Sequence, residues 1–272
     1  MIDRRLHALW IATLAVAALA ACAPALTAAE FTPQVGQPGK DVVWVPSPQA
    51  LVDKMLDMAK VTPADYVMDL GSGDGRTVIS AAKRGAQALG VEYNPDMVAL
   101  SRRNAAEAGV SERAKFVQGD IFQAHLGPAS VITLFLLTDL NIRLRPALLS
   151  LRPGTRIVSN TFRMGDWTPD DTFEMGCGAF CTAYLWIVPA KVAGRWELGR
   201  PGQQGYDELV LNQEYQMIYG TLKTGASNLQ VTGRVRGDDL SFKAGGSEYH
   251  GRVTRDGLEG TLASGAAWSA HR

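Results

Sequence analysis

The chain has 272 residues, enough for one large domain or two smaller ones. Hydrophobic residues make up 46% and charged residues 20%, which excludes a disordered polypeptide. Lys+Arg and Asp+Glu balance at 27 each, so no basic excess argues for nucleic acid; Cys22, Cys177 and Cys181 are too few for a disulfide scaffold or a zinc quartet.

Residues 1–29 read as an address. Asp3-Arg4-Arg5 precedes an uncharged apolar run from Ala8 to Ala21, closed by Leu19-Ala20-Ala21-Cys22. That is the layout of an export signal. The Leu-Ala-Ala-Cys ending resembles a bacterial lipobox, which would make Cys22 the lipidated N-terminus. Thr27-Ala28-Ala29 offers an ordinary cleavage site instead, and the uncharged stretch to Ala29 is also about long enough to stay as an anchor. Each reading places the body outside the cytoplasm, in a bacterial periplasm or tethered to a membrane, because the arginines precede the apolar run.

Glu30 to Lys40 is a Pro-, Gly- and Gln-containing linker, and Val42 to Pro48 is extended. Ser47 and Pro48 are placed to cap and begin a helix from Gln49 to Lys60, whose Leu51, Val52, Met55, Leu56 and Ala59 fall on one face. Tyr66 to Leu70 is a buried strand carrying Asp69. It runs into Gly71-Ser72-Gly73-Asp74-Gly75-Arg76 and then a helix from Thr77 to Arg84. Glycines in such a turn permit positive φ and close backbone approach by a ligand, and the helix start adds free N–H groups. A second strand, Gln87 to Glu92, ends in an acid, and Asn94-Pro95 starts a helix to Ala108. A third, Lys115 to Asp120, also ends in an acid. Ser130 to Leu137 is a fourth, nearly all apolar; Leu140 to Leu151 is a helix, and Thr155 to Ser159 a fifth strand. This alternation predicts an α/β fold, a Rossmann-like doubly wound sheet, mostly parallel, with its ligand beyond the C-terminal strand ends.

Half of the 28 glycines follow Ala193, and helical periodicity stops there. Seven short runs, Glu208–Leu211, Gln216–Leu222, Leu229–Val235, Leu240–Lys243, Tyr249–Val253, Leu258–Leu262 and Trp268–Ala270, predict a small antiparallel β domain that closes into a barrel or curved sheet. The division expected is 1–29 signal or anchor, 30–190 nucleotide-type domain, and 191–272 β domain.

The turn departs from the nicotinamide fingerprint, because Arg76 stands where a third glycine is wanted. Asp-x-Gly-x-Gly-x-Gly instead resembles motif I of class I S-adenosylmethionine-dependent methyltransferases. Val45 to Pro48, Gly119 to Phe122, Leu134 to Leu137, Leu144 to Pro146 and Met164 to Trp167 extend the likeness to the group related to mitochondrial lysine methyltransferases of the ATP synthase c-subunit type. The likeness covers about Val43 to Pro189. It implies S-adenosyl-L-methionine as cofactor, held by Asp69, Gly71, Ser72, Gly73, Gly75, Glu92 and Asp120. Glu92 would take the ribose hydroxyls and Asp120 would sit beside the adenine amino group. It also implies a nucleophilic acceptor, with a protein lysine favoured.

Acceptor-side candidates follow strands four and five: Asp139, Asn141, Asn160, Phe162, Asp166 and Trp167. Asp139 and Asn141 serve equally well as turn or cap residues, and Trp167 as core. No general base, metal site or nucleophile triad is expected, and the β domain inherits no partner from the resemblance. Cys177 and Cys181 form either a disulfide across a tight hairpin or two thiols. An exported location counts against ready cofactor supply. A non-catalytic binding module that keeps the fold therefore stays beside the enzyme, with a nicotinamide-dependent oxidoreductase third.

Overall fold

Residues 31–176 and 178–272 are described by a computed structural model. The export signal, Cys22 and Cys177 lie outside the described residues. Among the described residues no helix is long and apolar enough to cross a membrane. Pro33 to Arg272 form one compact unit.

Within it, β1 (Tyr66–Leu70), β2 (Gln87–Glu92), β3 (Ala114–Gln118), β4 (Val131–Leu134) and β5 (Arg156–Asn160) pair in parallel. Two further strands, β6 (Asp171–Glu174) and β7 (Thr182–Ile187), form an antiparallel hairpin added beside β5. The seven strands lie in the order β3-β2-β1-β4-β5-β7-β6. Successive residues of a strand point to opposite faces, and both faces are covered. Val67, Val131 and Val158 face a core with α1 (Gln49–Met58), α2 (Arg76–Lys83) and α3 (Pro95–Glu107). Met68, Ile132 and Ile157 face a second core with Leu140, Leu144 and Leu148 of α4 (Thr138–Leu149), Trp167 and Trp186. Cover on both sides explains why β1, β4 and β5 are buried almost throughout, β4 with a nearly unbroken apolar run. The fold is the doubly wound one expected from the alternation of elements.

Several details differ. The fourth strand ends at Leu134, so Phe135, Leu136 and Leu137 are unpaired and turn into the cleft beyond the sheet. The third strand ends at Gln118, and Asp120 instead caps a short 3-10 turn, Ile121–Gln123, accepting from Phe122 N–H at 2.9 Å. Ser47 does not cap α1, which begins after Pro48 without a side-chain cap. Its hydroxyl accepts from Asn160 Nδ2 at 3.0 Å and its carbonyl from Arg76 Nη1 at 2.6 Å. The linker before it is folded: Gly36 N–H donates to Trp44 O at 2.8 Å and Trp44 N–H to Gln37 O at 3.0 Å, which makes a small hairpin. Cys181 is disulfide-bonded.

From Gly194 the chain forms a closed antiparallel barrel. Its strands are β8 (Gly194–Gly199), β9 (Asp207–Glu214), β10 (Met217–Thr224), β11 (Ser227–Arg236), β12 (Asp239–Ala244), β13 (Ser247–Val253), β14 (Leu258–Leu262) and β15 (Ala267–His271). Seven match the predicted runs. The unpredicted β8 pairs with both β9 and β15 and so closes the circle. Alternation of buried and exposed residues, clearest in β12, fills the interior with side chains including Phe242, Tyr249 and Trp268. The barrel is tied to the sheet by polar contacts. Arg234 pairs with the fully buried carboxylate of Asp170, Gln216 Nε2 donates to Thr168 O at 2.7 Å, and Tyr215 stacks on Trp167 at 5.9 Å.

Candidate active site

A cleft lies beyond the C-terminal ends of the parallel strands, lined by the β1–α2 turn, the tips of β2 to β5 and the folded segment around Trp44. Sheet order sets its polarity. Asp120, Glu92 and Asp69 follow or end β3, β2 and β1; Phe135 and Phe162 follow β4 and β5. Phe180 comes from the loop before β7. One half is therefore acidic and the other aromatic.

The turn is shaped by its glycines. Gly71, Gly73 and Gly75 have φ of 82°, 54° and 84°, a region that favours glycine. A Cβ on Gly73 would come within 2.8 Å of Trp44 Nε1, so the missing side chain leaves room in the cleft. Gly75 differs: its Cβ would meet the Phe116 ring at 2.8 Å and Ser101 at 2.9 Å, so it permits close packing behind the turn. Glu92 locks the turn, accepting from Gly73 N–H and Asn94 N–H, both at 2.9 Å. Ser101 Oγ and Asn104 Nδ2 hold the turn from α3, donating to Gly73 O and Asp74 O, each at 2.8 Å. Arg76 forms an ion pair with Asp74 at 2.5 Å.

Asp69 is 6% exposed and accepts from Thr133 Oγ1 at 2.6 Å. Burial pushes its carboxyl up to about 7; the Thr133 hydrogen bond opposes this, and the carboxylates of Glu92 and Asp74 add to it. Asp120 behaves oppositely. A hydrogen bond from Lys40 at 2.6 Å holds its carboxyl below the usual range, and the same contact raises Lys40, which also lies 4.9 Å over the Tyr93 ring.

Among the residues expected to hold a cofactor, Asp69, Gly71, Ser72, Gly73, Glu92 and Asp120 line the cleft. Of the acceptor-side candidates, Phe162 lines it. Asn141 is fully buried, and its Nδ2 lies 3.3 Å from Leu136 O and 3.2 Å from Phe162 O, holding the loops after β4 and β5 together. Asn160 is fully buried and reaches Ser47. Asp139 is exposed in the first turn of α4. Asp166 pairs with Arg145 and accepts from Tyr215 Oη at 3.0 Å. Trp167 is fully buried against Trp186 and Tyr215. Phe135, Phe180, Lys40, Trp44 and Tyr93 also line the cleft, although none is among the site residues the sequence predicts. Phe135 lies in the Leu134 to Leu137 run that resembles the family, and that run reads equally well as strand.

Residues 69–171 match the family model described as the ANTKMT methyltransferase domain. A protein-lysine N-methyltransferase of Saccharolobus islandicus is 40% identical over 151 residues, covering 54% of this chain and 94% of that protein. The mouse lysine N-methyltransferase of the ATP synthase c-subunit is 32% identical over 189 residues, covering 69% of this chain and 74% of that protein. The chain belongs to this methyltransferase family. A solved structure of a Salinibacter ruber RNA methyltransferase in complex with S-adenosyl-L-homocysteine is also similar, with 46% identity, 54% of this chain and 96% of that one covered, and a TM-score of 0.52. The segment that the family model matches, residues 69–171, lies in the sheet and its cleft.

Proposed function

We propose that this methyltransferase uses S-adenosylmethionine and that its acceptor is a protein lysine. The observation that carries this is the divided cleft, acidic beside β3, β2 and β1 and aromatic beside β4 and β5. The sulfonium of the bound cofactor presents an activated methyl group, so the chain needs no covalent nucleophile. Its residues bind, align and exclude water. Glu92 and Asp120 would hold the adenosine end, and Asp69 with the Gly71–Gly75 turn the methionine end, where the ligand is cationic. Glu92 suits this role because its backbone contacts already fix its orientation. The aromatic half would receive the lysine side chain. Phe135, Leu136, Leu137, Leu140, Phe162 and Phe180 carry no charge, and such surroundings favour the neutral amine that attacks the methyl carbon. The C–S bond breaks as the N–C bond forms, and the amine proton leaves to solvent.

Calorimetry checks the cofactor: binding should weaken at least about tenfold in Asp69→Ala and in Glu92→Ala, the scale of a charged hydrogen bond lost. No binding at millimolar cofactor would sink the enzyme and favour a binding module that has kept the fold. Transfer of labelled methyl to a protein extract, followed by acid hydrolysis, should place label in methylated lysine. The Salinibacter neighbour is called an RNA methyltransferase, so label in nucleosides is the opposing result. The balance of 27 basic and 27 acidic residues favours the lysine.

Export is proposed as well, from the apolar start ahead of Cys22. The disulfide at Cys181 supports an oxidising compartment. Cys22→Ser should abolish lipid labelling of the protein made in cells; unchanged labelling refutes the lipobox.

A further inference from the structure

We propose that Phe180 is the specificity-determining wall of the acceptor site and that the disulfide at Cys181 positions it. The inference rests on the lysine acceptor proposed above and concerns a residue outside the 69–171 that the family model matches.

Three rings meet in the aromatic half of the cleft. Phe135 and Phe162 stack with centroids 6.0 Å apart, and Phe180 meets Phe135 edge-on at 5.6 Å and Phe162 at 6.2 Å. Two of them sit at the tips of parallel strands. Phe180 alone arrives from the β6–β7 loop, and only because β7 inserts antiparallel next to β5. It is partly exposed and holds a left-handed conformation, φ 62°, which a bulky side chain adopts only under constraint. The constraint is adjacent. Cys181 is buried and disulfide-bonded, its carbonyl accepts from Met175 N–H at 2.9 Å, and Thr182 O accepts from Thr161 N–H at 2.6 Å. The loop is thus held to β6 on one side and to the β5 tip on the other.

The chemistry of this wall selects its occupant. It offers ring faces and no charged side chain among Phe135, Leu136, Leu137, Leu140, Phe162 and Phe180. An ammonium shielded by methyl groups gives up little hydration on entering and gains the ring faces; an unmethylated ammonium loses water that these residues do not replace. The site takes the methylated lysine side chain in preference to the charged unmethylated one, and Phe180 closes it.

The test uses the full chain saturated with S-adenosylhomocysteine and titrated with Nα-acetyl-trimethyllysine. Phe180→Ala should weaken the probe about fivefold, the scale of one cation–π contact, and Phe180→Tyr should restore it. The affinity for S-adenosylhomocysteine should stay within about twofold, because the adenosine half is untouched. Cys181→Ala should weaken the probe like Phe180→Ala; if that variant fails to fold, reduction of the folded wild-type protein with a phosphine gives the same reading. Absence of probe binding to the wild type, or equal binding by wild type and Phe180→Ala, overturns the wall. Unchanged probe affinity in folded Cys181→Ala, or after reduction, overturns the positioning role of the disulfide. Failure of the lysine acceptor itself would appear separately, as label outside methylated lysine in the transfer assay.

Discussion

Replacing Asp69 by Asn should make the cofactor-free protein more stable, increasingly so as pH rises. Asp69 is buried near the end of β1, where hydrogen bonds from Thr133 and Thr77 do not offset burial, and its carboxyl is pushed from 3.8 to about 7. A raised acid pKa means that the folded chain holds the proton more tightly than the unfolded one. The resulting cost is absent below about pH 4, grows between about pH 4 and pH 7, and is constant above. Three pKa units at about 1.4 kcal/mol each amount to about 4 kcal/mol at pH 8 and about 1.6 kcal/mol at pH 5. Asn is nearly isosteric, and its Oδ1 can still accept from Thr133. Urea unfolding of both proteins without cofactor, from pH 5 to pH 8.5, measures the difference directly. An advantage of the variant that widens by about 2–3 kcal/mol across that range is expected. A difference that is flat with pH, or a variant less stable at pH 8, would refute the assignment of a buried, reluctant carboxylate.

The same carboxylate makes cofactor affinity pH-dependent. A cationic ligand requires Asp69 ionised, so the affinity of the wild type for S-adenosylmethionine should fall about tenfold per pH unit below about pH 7 and level off above. In Asp69→Asn the profile should be flat; calorimetry at several pH values checks both. Gly75→Ala should destabilise by about 3 kcal/mol, combining left-handed strain with the clash against Phe116, as read by thermal or urea unfolding. Arg234→Ala should cost about 1.5–3 kcal/mol, because the buried Asp170 carboxylate then keeps only the Ile187 N–H, and Asp170→Asn in the same background should recover part of the loss.

Much of the catalytic sheet was legible because its signals are local. Asp69 followed by alternating glycines can only be a strand running into a tight turn, since positive φ at Gly71, Gly73 and Gly75 is a property of single residues. Glu92 lies at a strand end that periodicity and the Asn94-Pro95 cap delimit. The acidic half of the cleft was visible for that reason. Of the aromatic half only Phe162 was, placed just after the fifth strand. Phe135 belongs to an apolar run that looks like strand throughout, and only the end of pairing at Leu134 frees it. Phe180 lies between two cysteines and reads as hairpin turn. Asn141, near the start of α4, has the same polarity as a cap residue, and only burial shows that it holds two loops together.

The sequence by itself determined the doubly wound sheet, its switch from helix-bearing units to a glycine-rich β region, and three acids at or just past the ends of consecutive strands. These depend on backbone propensity and on periods of two and 3.6, which neighbouring residues settle among themselves. The tertiary structure alone decided that β7 lies beside β5, that β8 closes the barrel, and that the segment from Gly36 to Trp44 folds over the glycine turn. Such pairings join residues far apart in the chain. Their register and partners are selected by which surfaces bury together, and no local pattern carries that information.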